Sequence, residues 1–289
     1  MREVVGVWKG TRIDIQPAKW QCIEPYYASM KILWLNWKDM RHPQAGGAEA
    51  VNEGLAKRLV RDGHQVIFLT STFPGAPEKE TRDGFSIVRV GGRFSVYWKA
   101  YRYYKKDLAE WPDLVIDEMN TIPFFAKFYA KQKNIMFVHQ LCRQIWFYEM
   151  FFPLNLVGYL LEPLYLWLLN DREVVTVSES TKKDLLRFGF KSDNVHVISE
   201  GIEMTPAENL ESIQKFARPT ILALGAIRSM KRTHHIVKAF EDVRRSIPDA
   251  HLVIAGEAEG KYGKRVLAQT KNSPYARDIE YCGRVGTAK

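Results

Sequence analysis

From residue 30 onward the chain alternates short apolar runs with longer amphipathic stretches. The runs 31–36, 65–70, 85–90, 113–118, 134–139, 173–177 and 194–198 are rich in Val, Ile and Phe and predict strands. Between several of them, apolar positions at helical spacing predict helices over 47–62, 96–110, 121–132, 154–170 and 179–188. Near-continuous apolar strands separated by helices imply a mainly parallel sheet covered on both faces. Such sheets bind ligands at the carboxyl ends of their strands. A polar stretch over about 203–218 breaks this rhythm. It resumes with a strand over 220–225, a helix over 232–247, a strand over 251–255, a helix over 261–272 and a strand over 278–282. Doubly wound domains usually carry about five or six strands, so this second unit is expected to be incomplete, with an uncovered apolar sheet edge.

Residues 1–29 show neither alternation nor helical period, and Met30 opens the first apolar run. The expected organisation is an extension over 1–29, disordered or loosely packed, an α/β domain over 30–203, a linker over 204–218 and a partial α/β domain over 219–289. The segment 145–169 is the most apolar, but Glu149, Pro153, Asn155, Glu162 and Pro163 interrupt it. It is too short between charges to span a bilayer and predicts a buried or surface-lying helix, with partial membrane insertion as the alternative. No secretory signal precedes it.

Composition narrows the partners. With 46% hydrophobic and 26% charged residues the chain is an ordinary globular mixture. Cys22, Cys142 and Cys282 lie far apart without a C-x-x-C pair, which argues against a disulfide scaffold or Cys-rich zinc site and fits a reducing compartment. The net charge is +9, of which residues 219–289 hold +6. That excess suits a nucleic acid, an anionic membrane or a phosphorylated ligand.

Four features carry candidate chemistry. Gly46 and Gly47 follow the first strand and open a helix. Such a turn suits a phosphate, because the backbone is accessible and the N–H groups are free, yet it also reads as a flexible helix start. It matches neither G-x-G-x-x-G nor the G-x-x-x-x-G-K-[ST] loop. His139, at the end of the 134–139 run, is either a cleft residue or a satisfied structural histidine. The remaining histidines form no metal pattern. Arg228, Lys231 and Arg232 gather where a helix begins, a position already positive, so a bound anion is favoured over a merely solvated basic turn. The segment 93–111 interleaves Tyr97, Trp98, Tyr101, Tyr103, Tyr104 and Trp111 with five cations. It suits a membrane surface, stacked bases or an aromatic stripe buried in the fold.

Gly46-Gly47-Ala48-Glu49, Val138-His139, Val175-Thr-Val-Ser178-Glu179, Val197-Ile-Ser-Glu200-Gly201-Ile202 and Gly225…Lys231-Arg232…Ala239-Phe240 occur in the order found in one family. From Met30 onward the chain resembles the family 4 glycosyltransferases, retaining enzymes of GT-B fold with two facing Rossmann-like domains. The resemblance implies an α/β, GT-B-like protein whose N-terminal domain receives the acceptor and whose second, incomplete domain holds a nucleotide-sugar donor, UDP-, GDP- or ADP-linked. It implies that Gly46 and Gly47 lie by the donor diphosphate, that His139 approaches the transferred sugar, and that Arg228 and Lys231 bind the diphosphate. Glu200 and Gly201, entering the interdomain hinge, join the donor site. Cations and helix N-termini can stabilise the leaving diphosphate without a metal, so no cofactor or metal is expected. Ala226 stands where the family has an arginine, which leaves Arg228 to replace it. The family's E-x7-E motif would lie beyond Lys289, so half of the donor site is expected to be missing.

The resemblance thus implies a glycosyltransferase, with a glycan or lipid-linked acceptor, cytoplasmic and in contact with the inner membrane face through 93–111. The alternative is an impaired enzyme acting as a scaffold, with a protein partner covering the incomplete domain. No nucleic-acid partner is expected, because no RRM, KH, zinc-finger or helix-turn-helix signal is present.

Overall fold

A computed structural model describes residues 28–201, 209 and 212–286. The expected extension over 1–29 lies outside these residues except for Ala28 and Ser29, as does much of the expected linker over 204–218. The described chain forms an eight-stranded unit followed by a three-stranded one.

The first unit runs β1 (Lys31–Leu35), α1 (Gly47–Arg61), β2 (Gln65–Thr70), β3 (Lys79–Arg82), β4 (Phe85–Arg89), α2 (Val96–Tyr103), β5 (Leu114–Met119), β6 (Lys133–Val138), α3 (Trp146–Glu149), α4 (Leu154–Leu169), β7 (Val174–Thr176), α5 (Glu179–Arg187) and β8 (Val195–Val197). The sheet order is β3-β4-β2-β1-β5-β6-β7-β8, parallel throughout except for β3 against β4. Strand alternation sends Ile32 and Trp34 into one core with Phe68, Ile87 and Ala56 of α1. Leu33 and Leu35 enter the other, beneath Val96, Ala100 and Tyr104. Both sheet faces are therefore covered, as the continuous apolar strands require.

Two departures from the sequence reading have local causes. The helix predicted over 121–132 does not form; only a single 3-10 turn, Ala126–Phe128, is present. Pro123 interrupts the segment, and the buried Asp117 carboxylate accepts the N–H groups of Phe124 and Ala126, holding it in an irregular loop. The helix predicted over 96–110 closes its α-helical part at Tyr103 and continues as one π-helical turn, Tyr104–Leu108. Its Val96, Ala100, Tyr104 and Leu108 are buried, while Trp98 is 62% exposed, so the aromatic stripe is divided between core and surface.

The second unit comprises β9 (Thr220–Leu224), α6 (Thr233–Ser246), β10 (His251–Ala255), α7 (Gly260–Asn272) and β11 (Ile279–Gly283), with the parallel order β11-β10-β9. Two right-handed crossovers running in the same direction place both helices on one face. There Ile227, Val237, Phe240, Leu252, Ile254 and Val266 close a small core. On β9, Leu222 and Leu224 remain 58% and 70% exposed. The strand ends approach closely: a Cβ on Gly256 would lie 2.0 Å from the Gly225 carbonyl oxygen, and its φ of +149° also demands glycine.

Candidate active-site cleft

The carboxyl ends of β1, β5, β6 and β7 and the turn after β9 surround one cleft of about 430 Å³. Gly46, Gly47, His139, Glu200, Arg228 and Lys231 all line it. Gly201 does not; it borders a neighbouring cavity between α1 and the β7–β8 side. The two units meet beside the cleft, where Arg232 reaches over the Tyr148 ring of α3 at 5.9 Å.

The wall built by the first unit is wired by buried polar groups. The Glu49 carboxylate folds back to accept the Gly46 N–H at 2.6 Å, and it pairs with Lys38 Nζ at 3.4 Å. Gly46 is thus already occupied, whereas Gly47 faces open space and its N–H has no partner among the described residues. Lys38 Nζ also donates to the Gln44 carbonyl, which pins the loop that leads into α1.

Behind His139 lies a chain of hydrogen bonds. Trp34 Nε1 and Asn52 Nδ2 donate to Glu118 Oε2 at 3.1 and 2.6 Å. Asn52 Oδ1 therefore faces His139 Nε2 at 3.3 Å, which selects the tautomer with the proton on Nε2. Nδ1 is left as an acceptor, 3.4 Å from Glu200 Oε1. Burial lowers the His139 pKa, opposed by Glu200. A neutral imidazole and a carboxylate thus present two acceptors to each other, an arrangement that a hydroxyl donor entering between them would relieve. Glu118 is wholly buried, and burial pushes its pKa up to about 8 despite the hydrogen bond from Asn52. It is chiefly a neutral acid at pH 7, and its Oε1 has no hydrogen-bond partner among the described residues, lying 3.9 Å from His139 Nε2.

The opposite wall is different. Arg228, Lys231 and Arg232 form no ion pair among the described residues, and the buried Nε of Arg228 has no hydrogen-bond partner there. They cluster at the start of α6, whose N-terminus has no side-chain cap. Arg232 itself adopts φ +53°, a strained left-handed conformation for a non-glycine residue. Cations without a described counter-ion at a positive helix end are electrostatically suited to an anion. Among the described residues, no three His, Cys, Asp or Glu side chains gather as they would around a metal ion.

Lys38, Asn52 and Glu118 escaped the sequence reading, and Glu49 entered it only as part of the Gly46–Glu49 motif. One signal was available for Glu118: two adjacent carboxylates, Asp117 and Glu118, end an otherwise apolar strand. Asn52 had none, because only the sheet order brings α1 against β5 and β6.

The family model for Glycosyltransferase Family 4 matches residues 45–205, and that for Glycosyl transferases group 1 matches residues 208–288. Among solved structures, the chain is similar to Alr3699/HepE of Anabaena in complex with UDP-glucose, at 16% identity and a TM-score of 0.56, covering 89% of this chain and 70% of that one. It is similar to a glycosyltransferase from Rickettsia africae, at 17% identity and a TM-score of 0.60, covering 90% and 69%. A third likeness is WaaG, a glycosyltransferase involved in lipopolysaccharide biosynthesis, at 12% identity and a TM-score of 0.59, covering 88% and 70%. No curated protein matches. With the first family model spanning more than half of the sequence, the chain belongs to glycosyltransferase family 4 and has the GT-B fold of those enzymes.

Proposed function

We propose that this glycosyltransferase moves a hexosyl group, with retention, from a nucleoside-diphosphate sugar held in the cleft to an acceptor entering over the first unit. The observation that carries this reading is the Arg228–Lys231 cluster, without an ion pair among the described residues, facing His139 across one cleft. The family membership gives it context, and the UDP-glucose bound by the Anabaena relative makes UDP the first nucleotide to try.

The chemistry follows from the two walls. Breaking the bond between sugar and diphosphate leaves negative charge on the leaving oxygen. Arg228, Lys231 and the N-termini of α1 and α6 are placed to stabilise that charge as it develops. His139, held by Asn52 with Nδ1 toward the cleft, accepts a hydroxyl of the transferred sugar and orients it. Glu49 and Glu200 line the cleft, but Glu49 is engaged with Lys38 and Gly46. In this reading neither serves as a nucleophile: the acceptor hydroxyl attacks the anomeric carbon from the side that the diphosphate leaves, and its proton passes to the departing phosphate oxygen.

UDP, GDP and ADP distinguish the donors by thermal shift. A nucleotide at about a hundred times its Kd stabilises by about 2.7 kcal/mol, a rise of several degrees. Lys231→Ala is expected to abolish the rise. Absence of a shift with all three nucleotides would sink the donor-site assignment. The exposed Leu222 and Leu224 face supports a second reading, a binding protein whose second sheet is covered by a partner. A monomer in light scattering that turns over a UDP-sugar would dismiss it.

A further inference from the structure

A second cavity, of about 370 Å³, opens directly from the cleft. The two share Trp37, Arg93, Thr121, Trp146 and Met150. Beyond that junction the groove is floored by Tyr97, Phe125, Val157, Leu161 and Tyr165, and no carboxylate lines it. Its aromatic residues present rings rather than polar atoms. The indole N–H groups of Trp37 and Trp146 donate to the Arg93 carbonyl and to Glu162, and the Tyr165 hydroxyl donates to the Thr121 carbonyl. A groove so lined has little to offer the hydroxyls of a glycan and suits a hydrocarbon chain.

Arg93 is the groove's one charged residue and stands at the junction. Its guanidinium lies 5.8 Å from the Trp37 ring, 5.4 Å from the Phe94 ring and 3.5 Å from Met150 Sδ. It is exposed and has no carboxylate partner among the described residues. An anion bound there would have its apolar side along the groove and its polar side in the cleft.

The outer surface continues the apolar character. The sole charged residue of α4, Glu162, is fully buried, where it accepts from Cys142 N, Arg143 N and Trp146 Nε1. The outward side of α4 thus carries no charge, with Leu160 63% and Trp167 63% exposed, and Phe151 and Phe152 lie bare just before the helix. A helix apolar all round is normally buried. At 16 residues α4 is too short to cross a bilayer, and among the described residues no helix is long and apolar enough to do so. Its exposed apolar side is of the kind that marks a membrane or partner contact.

We infer that the acceptor is a glycan carried on a long-chain lipid phosphate, with the phosphate at Arg93, the first part of the chain in the groove, and the remainder running off α4 into the bilayer. This deepens the proposed transfer reaction and rests on it for the identity of the cleft. Continuity between groove and cleft selects an acceptor tail over an unrelated occupant, and Arg93 selects an anionic head.

The test uses the full chain and farnesyl phosphate as probe, followed by tryptophan fluorescence, with farnesol and inorganic phosphate as controls. Farnesyl phosphate is expected to bind at least about a hundredfold more tightly than inorganic phosphate, because its chain leaves water. Arg93→Ala should reduce its affinity to that of farnesol. Leu161→Glu, in the groove, should weaken binding by about tenfold or more. Leu160→Glu, on the outer surface, should leave farnesyl phosphate binding unchanged but weaken sedimentation with phosphatidylglycerol vesicles. Equal binding by Leu161→Glu and wild type, or no preference over inorganic phosphate, overturns the proposal. So does a dimer in light scattering that Leu160→Glu dissolves, since the apolar face would then bind a second copy. UDP thermal shifts in the same samples show that the variants are folded. They also separate the two readings: a UDP shift without probe binding defeats the groove alone, and probe binding without a UDP shift defeats the donor site alone.

Discussion

The two walls of the cleft are built on opposite principles. On the first unit's wall, Glu49, Asn52 and Glu118 are buried and joined by hydrogen bonds to the backbone or to one another. On the second unit's wall, Arg228 and Lys231 hold no counter-ion among the described residues. The first arrangement fixes the geometry of His139 before any ligand arrives. The second, in the proposed reading, gathers positive charge that an anionic ligand would relieve. Mutations on the first wall should therefore cost stability, and mutations on the second should cost binding.

The largest expected effect lies in the support of the first wall. Asp39, in the loop between β1 and α1, accepts from Arg89 Nε and Nη2 at 2.8 and 3.1 Å, and Arg89 is fully buried. Burial would raise the Asp39 pKa, but the Arg89 hydrogen bond, the Arg41 N–H and the charges of Arg89 and Arg82 together outweigh it and hold the carboxyl below its usual range. Asp39→Ala leaves a buried guanidinium under-paired and should cost about 3–5 kcal/mol in chemical denaturation.

Glu118 gives the next test, through pH. Its folded pKa of about 8 lies above the ordinary carboxylate value, so between roughly pH 5 and 8 the folded state keeps a proton that the unfolded chain has lost. Stability should fall as pH rises through that window, at up to about 1.4 kcal/mol per pH unit, and level off above it. Asp117, pushed by burial to about 6, adds to the fall at the acid end. Glu118→Gln keeps the shape and the acceptor for Trp34 and Asn52, and should flatten the pH dependence of unfolding. An unchanged slope would contradict the buried neutral acid.

Smaller again is Gly158→Ala on α4. Its Cβ would lie 2.4 Å from the Trp146 ring, which supports both the cleft and the groove, and should cost about 1–3 kcal/mol. The smallest effect sharpens the comparison most. Without ligand, Arg228→Ala and Lys231→Ala should each change stability by no more than about 0.5 kcal/mol, since neither breaks an ion pair among the described residues.

The sequence made some of this legible and hid the rest for physical reasons. Strands such as QVIFLT and KILWL announce themselves because both sheet faces are buried. β3, KETR, does not, because it is an edge strand held by backbone pairing to β4 and by Glu80 and Arg82 in the Asp39–Arg89 ion cluster, not by apolar alternation. The apolar density of 121–132 suggested a helix, but side-chain acceptance by Asp117 decided the backbone there. Within the cleft, His139, Gly47, Arg228 and Lys231 could be picked out because each follows a strand or opens a helix. The Trp34–Glu118–Asn52–His139 chain could not, because it spans elements that become neighbours only through the order β1-β5-β6. The groove was equally hidden: the greasy segment 145–169 read as a helix, but not as the wall of a cavity.

The most direct measurement is calorimetric titration of UDP into the wild type, Arg228→Ala and His139→Ala, paired with turnover of a UDP-sugar. The division of labour between the walls predicts that Arg228→Ala loses about tenfold or more in UDP affinity with unchanged stability. It predicts that His139→Ala binds UDP nearly as the wild type does but loses turnover. UDP binding that survives Arg228→Ala and is lost in His139→Ala would contradict it.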